Sequence, residues 1–189
     1  MLKISCTAAI ALSAFTGLAT AGNYTMDPKH TFVTFEIPHM ATTTNRGRFD
    51  KKEGTVEFDR AAKTGKTKLV LYPDSITTGT PVLDKIISGP EVFDTVKYPT
   101  VQFVSDKFVF SGDKVTEVSG QLTMLGKTLP VVLKATNFNC YPNGMLKKEV
   151  CGGDFETWIK RSDWGVTYAL NYGFADTIKL LIQVEAIED

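Results

Sequence analysis

The side chains that could carry out catalysis are few in this 189-residue chain. The two histidines, His30 and His39, stand nine positions apart, and a histidine at the end of an apolar strand face is usually a hydrogen-bonded rim residue. The sequence holds no Gly-x-Ser-x-Gly elbow, no glycine-rich phosphate loop, no His-Glu-x-x-His pair and no Cys-x-x-Cys pair. We therefore predict a protein that is not an enzyme and that uses no cofactor and no bound metal.

The first 21 residues have the features of a cleaved export signal. Met1 to Lys3 is short and basic, Ile4 to Leu18 is apolar, and Ala19-Thr20-Ala21 fits a cleavage site before Gly22. The apolar stretch is too short, and too rich in Ser, Thr and Gly, for a membrane-spanning helix. We predict one mature domain, residues 22–189, that is periplasmic or secreted.

Cleavage of the export signal would remove Cys6 and leave two cysteines in an oxidising compartment. Cys140 and Cys151 form an even pair, which in an oxidising compartment favours a disulfide. Tyr141-Pro142-Asn143-Gly144 favours a chain reversal, so the bridge would join the two arms of a hairpin. A redox or metal site is the alternative, but the spacing is too long for a redox dithiol and histidines are scarce.

The charge balance gives no reason to expect a polyanionic partner. Lys and Arg number 21, as do Asp and Glu, so the chain is close to neutral. We therefore expect neither nucleic acid nor an anionic membrane surface as a partner. The sequence leaves monomer and homodimer open.

A two-residue alternation of apolar and polar side chains runs through nearly all of the mature sequence. Val33, Phe35 and Ile37 alternate with Thr34 and Glu36, as in a strand with one buried face. Eight such runs predict an all-β protein with one antiparallel sheet, closed into a barrel or folded as a sandwich. The predicted inward residues are Val33, Phe35, Ile37, Val56, Phe58, Leu69, Leu71, Val101, Phe103, Leu122, Met124, Val131, Leu133, Phe155, Ile159, Leu180 and Ile182.

One segment near residues 81–88 breaks this alternation and predicts a short α-helix. Thr80-Pro81 suits a helix start, Val82, Leu83, Ile86 and Ile87 repeat at helical spacing, and Gly89 suits its end. A single amphipathic helix in an all-strand chain usually covers an open end or an edge of the sheet. If it covers a cavity, it can also act as a gate.

The inward set leaves two interpretations open. An eight-stranded barrel is either filled by its own side chains or holds one small ligand. Because the inward residues are apolar, any ligand should be long and apolar. Equally, the same residues could simply form a packed core.

Short motifs in a fixed order resemble the YceI-like family of exported proteins. They begin at Tyr24-x-x-Asp27-x-x-His30 and end at Ile159-x-Arg161-Ser162-Asp163-x-Gly165. Between these lie Gly47-x-Phe49, Gly54-x-Val56-x-Phe58-Asp59, Ser75-Ile76-x-Thr78, Phe93-Asp94, Tyr98-Pro99-Thr100-Val101-x-Phe103, Gly120-x-Leu122-Thr123 and Gly126-x-Thr128-x-Pro130-Val131. Each motif is weak alone, but the ordered set covers nearly all of the mature chain.

This resemblance implies an extended, lipocalin-like antiparallel barrel of about eight strands. Members of the family hold a polyisoprenoid or a similar long-chain amphiphile and are regarded as carriers or storage proteins, without an established catalytic activity. The family pattern often has Arg at Leu83 and His or Arg at Leu125, so these departures leave the head group open. Cys140 and Cys151 also lie outside the common motif.

The resemblance also indicates four polar residues at the rim of the barrel: His39, Asp84, Arg161 and Asp163. For Arg161 and Asp163, a structural contact at the rim and recognition of a ligand head group both remain open. The same two interpretations apply to His39 and Asp84.

Three classes of function follow from these observations. We expect an exported lipid-binding protein that holds a polyisoprenoid or a fatty-acid-like ligand for transport or storage. A stress-related protein-interaction factor with a filled core is the alternative, and it would need an exposed apolar patch. An enzyme acting on a lipid lacks a recognisable nucleophile and base.

Overall fold

The computed structural model describes residues 21–189, which fold into eleven strands and one α-helix. The strands are β1 (Gly22–Met26), β2 (Phe32–His39), β3 (Thr43–Phe49), β4 (Lys52–Asp59), β5 (Thr64–Leu71), β6 (Ile76–Thr77), β7 (Val101–Ser111), β8 (Lys114–Met124), β9 (Lys127–Asn143), β10 (Lys148–Lys160) and β11 (Thr177–Glu188). The helix α1 spans Pro81–Ser88, and short 3-10 turns lie at Pro73–Ser75, Arg161–Trp164 and Leu170–Tyr172. Residues 1–20 of the predicted export signal lie outside the described residues, so the signal stays a prediction.

The sheet closes on itself as an eight-stranded antiparallel barrel. Its closed order is β1-β4-β5-β7-β8-β9-β10-β11, and β11 pairs with β1 to complete the ring. The strand β11 also pairs with β2 through Lys179–Gln183, beside its pairing with β1 through Ala186–Glu188. The strands β1 and β2 are thus two parts of one long strand, and β3 and β4 form its partner. The predicted all-β barrel is confirmed.

The long strand is interrupted where the chain turns at Asp27. The backbone N–H groups of His30 and Thr31 both donate to the Asp27 carbonyl oxygen, at 3.2 and 2.9 Å. The Thr31 side chain is fully buried and bonds to the backbone of Glu185 on β11. This corner redirects the chain between β1 and β2 without opening the barrel.

The helix α1 belongs to the connection between β5 and β7. That connection first forms β6, which pairs with Arg48 and Phe49 on β3, and then places α1 over this end of the barrel. Pro81 occupies the first turn, where its missing N–H costs no helical hydrogen bond. The helix begins and ends as predicted, although Val82 is 69% exposed and faces away from the barrel. Within residues 21–189, no helix has the length and apolar character needed to cross a membrane.

The disulfide predicted between Cys140 and Cys151 is present. The two cysteines are directly paired across β9 and β10, and their Cα atoms are 4.1 Å apart. The chain reverses at residues 144–147, slightly later than predicted, because β9 continues through Asn143. The Asn143 side-chain oxygen accepts hydrogen bonds from the N–H groups of Met145 and Leu146, which fixes the turn after that residue.

Candidate binding cavity

The barrel is not filled at the end that α1 covers. A cavity of about 200 Å³ lies there, lined by nearly all the strands, by α1 and by the loop that follows β10. Its lining is almost wholly apolar. The predicted inward residues that line it are Val33, Phe35, Ile37, Leu69, Leu71, Val101, Phe103, Leu122, Met124, Val131, Leu133, Ile159, Leu180 and Ile182.

A second, smaller cavity of about 70 Å³ lies toward the disulfide end of the barrel. The other three predicted inward residues, Val56, Phe58 and Phe155, line this cavity instead. Four side chains line both cavities, and we call them the waist: Leu69, Phe103, Leu133 and Ile182. The interior is therefore two adjoining apolar spaces with a narrow region between them.

Two glycines let aromatic rings pack directly against the backbone of the barrel wall. A Cβ atom on Gly47 would lie 2.5 Å from the Phe35 ring, and one on Gly120 would lie 2.5 Å from the Phe103 ring. Contacts this short are sterically excluded, so both positions require glycine while the rings keep these places. The motifs that contain Gly47 and Gly120 thereby shape the cavity wall.

Several lining residues were not among the predicted inward set. Leu83, Ile86 and Ile87 contribute the inner face of α1, and their helical spacing was the signal that could have placed them there. Other wall residues come from loops that carry no periodic signal. These are Val92 and Phe93 after the helix, and Val166, Tyr168 and Phe174 after β10.

Arg161 is the charged residue of this lining, and the residue is only 7% exposed. Its Nε donates to the carbonyl oxygen of Ala175 at 2.9 Å, and its Nη1 donates to those of Val166 and Tyr168 at 3.3 and 2.7 Å. These bonds hold the loop after β10 against the barrel. Burial lowers the pKa of the guanidinium, and the charge of Asp176 partly opposes that effect.

The other predicted rim residues take different positions. The Asp84 carboxylate accepts hydrogen bonds from the Thr78 backbone and hydroxyl, and Thr78 lines the cavity. The His39 ring packs edge-on against Phe174, with ring centres 5.1 Å apart. Asp163 is exposed, and its backbone carbonyl accepts a hydrogen bond from Lys127. The structure therefore brings Arg161 into the cavity wall but leaves Asp163 on the surface.

Three residues of types that can bind a metal ion lie together at the disulfide. The sulfur atoms of Cys140 and Cys151 and a carboxylate oxygen of Glu149 all lie within 4.8 Å of one another. In the oxidised protein both sulfur atoms are joined to each other, so they offer no thiolate. The Glu149 carboxylate already accepts hydrogen bonds from Tyr24 at 2.8 Å and Arg60 at 2.6 Å.

Comparison with known proteins places this fold. The model of the YceI-like domain matches residues 24–186. The chain belongs to the YceI-like family. This match runs from within β1 through most of β11, so the family's domain includes part of every barrel strand and all the residues that line both cavities.

Related proteins occur in several bacteria. A UPF0312 protein of Pseudomonas savastanoi pv. phaseolicola is 38% identical over 123 residues, which cover 64% of each chain. The matched region thus spans less than two thirds of that relative's length. A UPF0312 protein of Pseudomonas putida is 32% identical over 175 residues, covering 91% of this chain and 90% of the relative.

A solved structure shares the YceI-like fold at low identity. It is a polyisoprenoid binding domain from Saccharophagus degradans implicated in plant cell wall breakdown. The two structures align with a TM-score of 0.63 and 14% identity, over 88% of this chain and 98% of that one. At this identity the comparison shows a common fold.

Proposed function

We propose that this protein holds the apolar tail of a polyisoprenoid or similar long-chain amphiphile inside its barrel, for transport or storage. The observation that carries the proposal is the unfilled, almost wholly apolar cavity of about 200 Å³ beneath α1. An apolar cavity of about 150 Å³ stays free of water and binds a benzene-sized molecule. The polyisoprenoid-binding domain from Saccharophagus degradans has the same fold and supports this ligand class.

The energetics favour a long tail. Each methylene group moved from water into the barrel contributes about 0.8 kcal/mol, so ten carbons gain about 8 kcal/mol before the costs of ordering. The larger cavity alone, with about 200 Å³, is too small for a long isoprenoid. A longer tail would pass between the waist side chains, such as Leu133 and Ile182, into the smaller cavity. Affinity should therefore rise with tail length.

The same geometry supports binding rather than catalysis. Nearly all of the lining side chains are apolar, and such side chains provide neither a nucleophile nor a base. The open interior also argues against the alternative of a protein-interaction factor with a filled core. We further propose export of the mature domain, residues 22–189, to the periplasm or outside the cell, where the disulfide is stable.

Co-purified molecules provide the direct test. The full chain would be expressed with its export signal, and the oxidised protein purified, extracted with organic solvent and analysed by mass spectrometry. A matched pair of variants separates the interior from the surface: Val101→Phe fills the larger cavity, whereas Val104→Phe adds the same bulk on the outer face, where Val104 is 47% exposed. A sham purification identifies contaminants.

We expect a long-chain amphiphile with wild type and Val104→Phe, and much less with folded Val101→Phe. Equal amounts in all three would place the molecule on the surface and contradict the proposal. A protein that carries no such molecule and also rejects long-chain probes would support the protein-interaction alternative.

A further inference from the structure

Arg161 is a buried cation that forms no ion pair within the described residues, 21–189. Within residues 21–189, no carboxylate oxygen lies within 4.0 Å of its guanidinium nitrogens. The carboxylate of Asp176 attracts it from a greater distance. That carboxylate is itself held by the Ser162 N–H at 2.9 Å and the Ser162 hydroxyl at 2.7 Å. Burying a charge is costly unless it is paired, so the site would gain from an incoming anion.

The guanidinium also keeps unused donors. Of its five N–H groups, those on Nε and Nη1 donate to the three carbonyl oxygens of the loop after β10. Nη2 has no acceptor in the described part of the chain. Every side-chain nitrogen there that is fully buried does have a hydrogen-bond partner, so Nη2 is not fully buried. Nη2 therefore keeps accessible surface, and Arg161 is one of the residues that line the larger cavity.

The rest of the cavity wall limits what can meet this donor. The other lining residues with polar side chains are Asn45, Thr78 and Tyr168, so the lining contains no Lys, His, Asp or Glu. The cavity thus offers one positive charge among apolar walls. A single charge matches a monoanion such as a carboxylate better than a phosphate, whose charge at neutral pH approaches two.

We propose that Nη2 of Arg161 binds the head group of the ligand, and that this head group is the carboxylate of a long-chain acid. The tail then occupies the apolar cavity under α1. This inference rests on the proposed lipid-binding function and specifies the ligand that it selects. It also accounts for a buried arginine whose backbone contacts use only part of its hydrogen-bonding capacity.

Two ligands with the same tail provide the test. Dodecanoic acid and dodecan-1-ol differ only in the head group, and their binding to the oxidised wild-type protein would be measured by calorimetry at pH 8. We expect the acid to bind about tenfold more tightly or better, because a hydrogen bond to a charged group adds this much. The ratio of the affinity for the acid to the affinity for the alcohol should fall toward one as the pH drops below about 5, where the acid becomes neutral.

Variants assign the preference to Arg161. Arg161→Gln should remove the preference for the acid while still binding the alcohol, and Arg161→Lys should retain part of it. Lys127→Gln, which removes an exposed cation near the same end of the barrel, should leave the preference unchanged. If Arg161→Gln fails to fold, the wild-type comparison and its pH dependence still decide whether a carboxylate is selected.

The outcomes separate this inference from the function on which it rests. Equal affinity of wild type for acid and alcohol would overturn the head-group assignment but leave tail binding intact. A folded Arg161→Gln that still prefers the acid would also overturn it. Failure of wild type to bind either molecule would overturn both proposals.

Discussion

The carboxylate of Asp84 accepts two hydrogen bonds from Thr78, one from the backbone N–H at 2.7 Å and one from the hydroxyl at 2.6 Å. Asp84 lies on α1 and Thr78 directly follows β6, so these bonds tie the helix to the segment that pairs with the barrel. No side chain of α1 is fully buried. Polar contacts of this kind therefore add to the apolar contacts of Leu83, Ile86 and Ile87 in keeping the helix over the cavity.

Asp84→Ala should loosen α1 without unfolding the barrel. Loss of two hydrogen bonds to a partly exposed carboxylate is expected to weaken the docking of the helix by about 1–2 kcal/mol. We expect faster amide hydrogen exchange across Pro81–Ser88 and about tenfold faster release of a bound long-chain probe. Lys85→Ala, one position along on the exposed side of α1, should change neither rate. Equal effects of the two variants would contradict a specific role for Asp84.

Leu133→Phe should shorten the ligand that the barrel accepts. Leu133 belongs to the waist, so extra bulk there would close the passage between the cavities. Losing the burial of two or three methylene groups costs about 2 kcal/mol, which lowers affinity for a 16-carbon chain about thirtyfold. Affinity for an eight-carbon chain should change little. Titration with acids of increasing length measures the effect.

The control for the waist is the adjacent residue. Val132 is 41% exposed on the outer face, and Val132→Phe should leave the dependence on chain length unchanged. The interpretation fails if Leu133→Phe lowers affinity equally for short and long chains.

Removal of the disulfide should destabilise the protein without changing its fold. Cys140 and Cys151 are eleven positions apart and close a small loop, for which loop-closure entropy gives about 2–3 kcal/mol. We expect the free energy of unfolding of the Cys140→Ala/Cys151→Ala double variant, measured by urea unfolding, to be lower by this amount than that of the oxidised wild type. A reducing agent should destabilise wild type but not the variant. If reduction leaves wild-type stability unchanged, the bridge has no such role.

Stability should fall as the solution is acidified. Hydrogen bonds from Ser162 lower the pKa of Asp176, and the Lys29 N–H together with the His30 ring lowers that of Asp27. Near the ordinary aspartate pKa of about 4, the unfolded chain therefore binds more protons than the folded protein. The stabilising contribution is complete above this pH and is lost as the pH falls through the folded-state values.

Asp176→Asn should consequently reduce the loss of stability between pH 6 and pH 3. Urea unfolding at a series of pH values measures the slope, and Asp106→Asn, at an exposed position, serves as the matched control. A slope that is the same in wild type and Asp176→Asn would show that this carboxyl contributes nothing.

Alternation along the strands predicted most of the inner wall for a simple physical reason. Successive side chains of a strand leave opposite faces, so Val33, Phe35 and Ile37 had to share one face whatever the strand paired with. The same reasoning placed Phe58 inside but did not divide the interior into two cavities. That division depends on how side chains from opposite walls meet at the waist.

The hydrogen-bond partners of Arg161 could not be predicted from any local sequence pattern. Its motif indicated a polar contact at the rim, yet its partners are carbonyl oxygens of Val166, Tyr168 and Ala175 in a loop without periodicity. Asp163, two positions away, remained on the surface. Which group a long side chain reaches depends on the path of the returning chain.

The sequence by itself determined the strand faces, the short helix, the cysteine pair and the family, because these depend on residue spacing and on motifs in order. Only the tertiary structure decided that the barrel closes through β1 and β11, that its core is left partly empty, and that Arg161 is buried beside this space, where its Nη2 has no acceptor among residues 21–189. These features arise from contacts between residues far apart in the chain. Local alternation fixes the face on which a side chain lies, whereas packing between the walls fixes how much space remains.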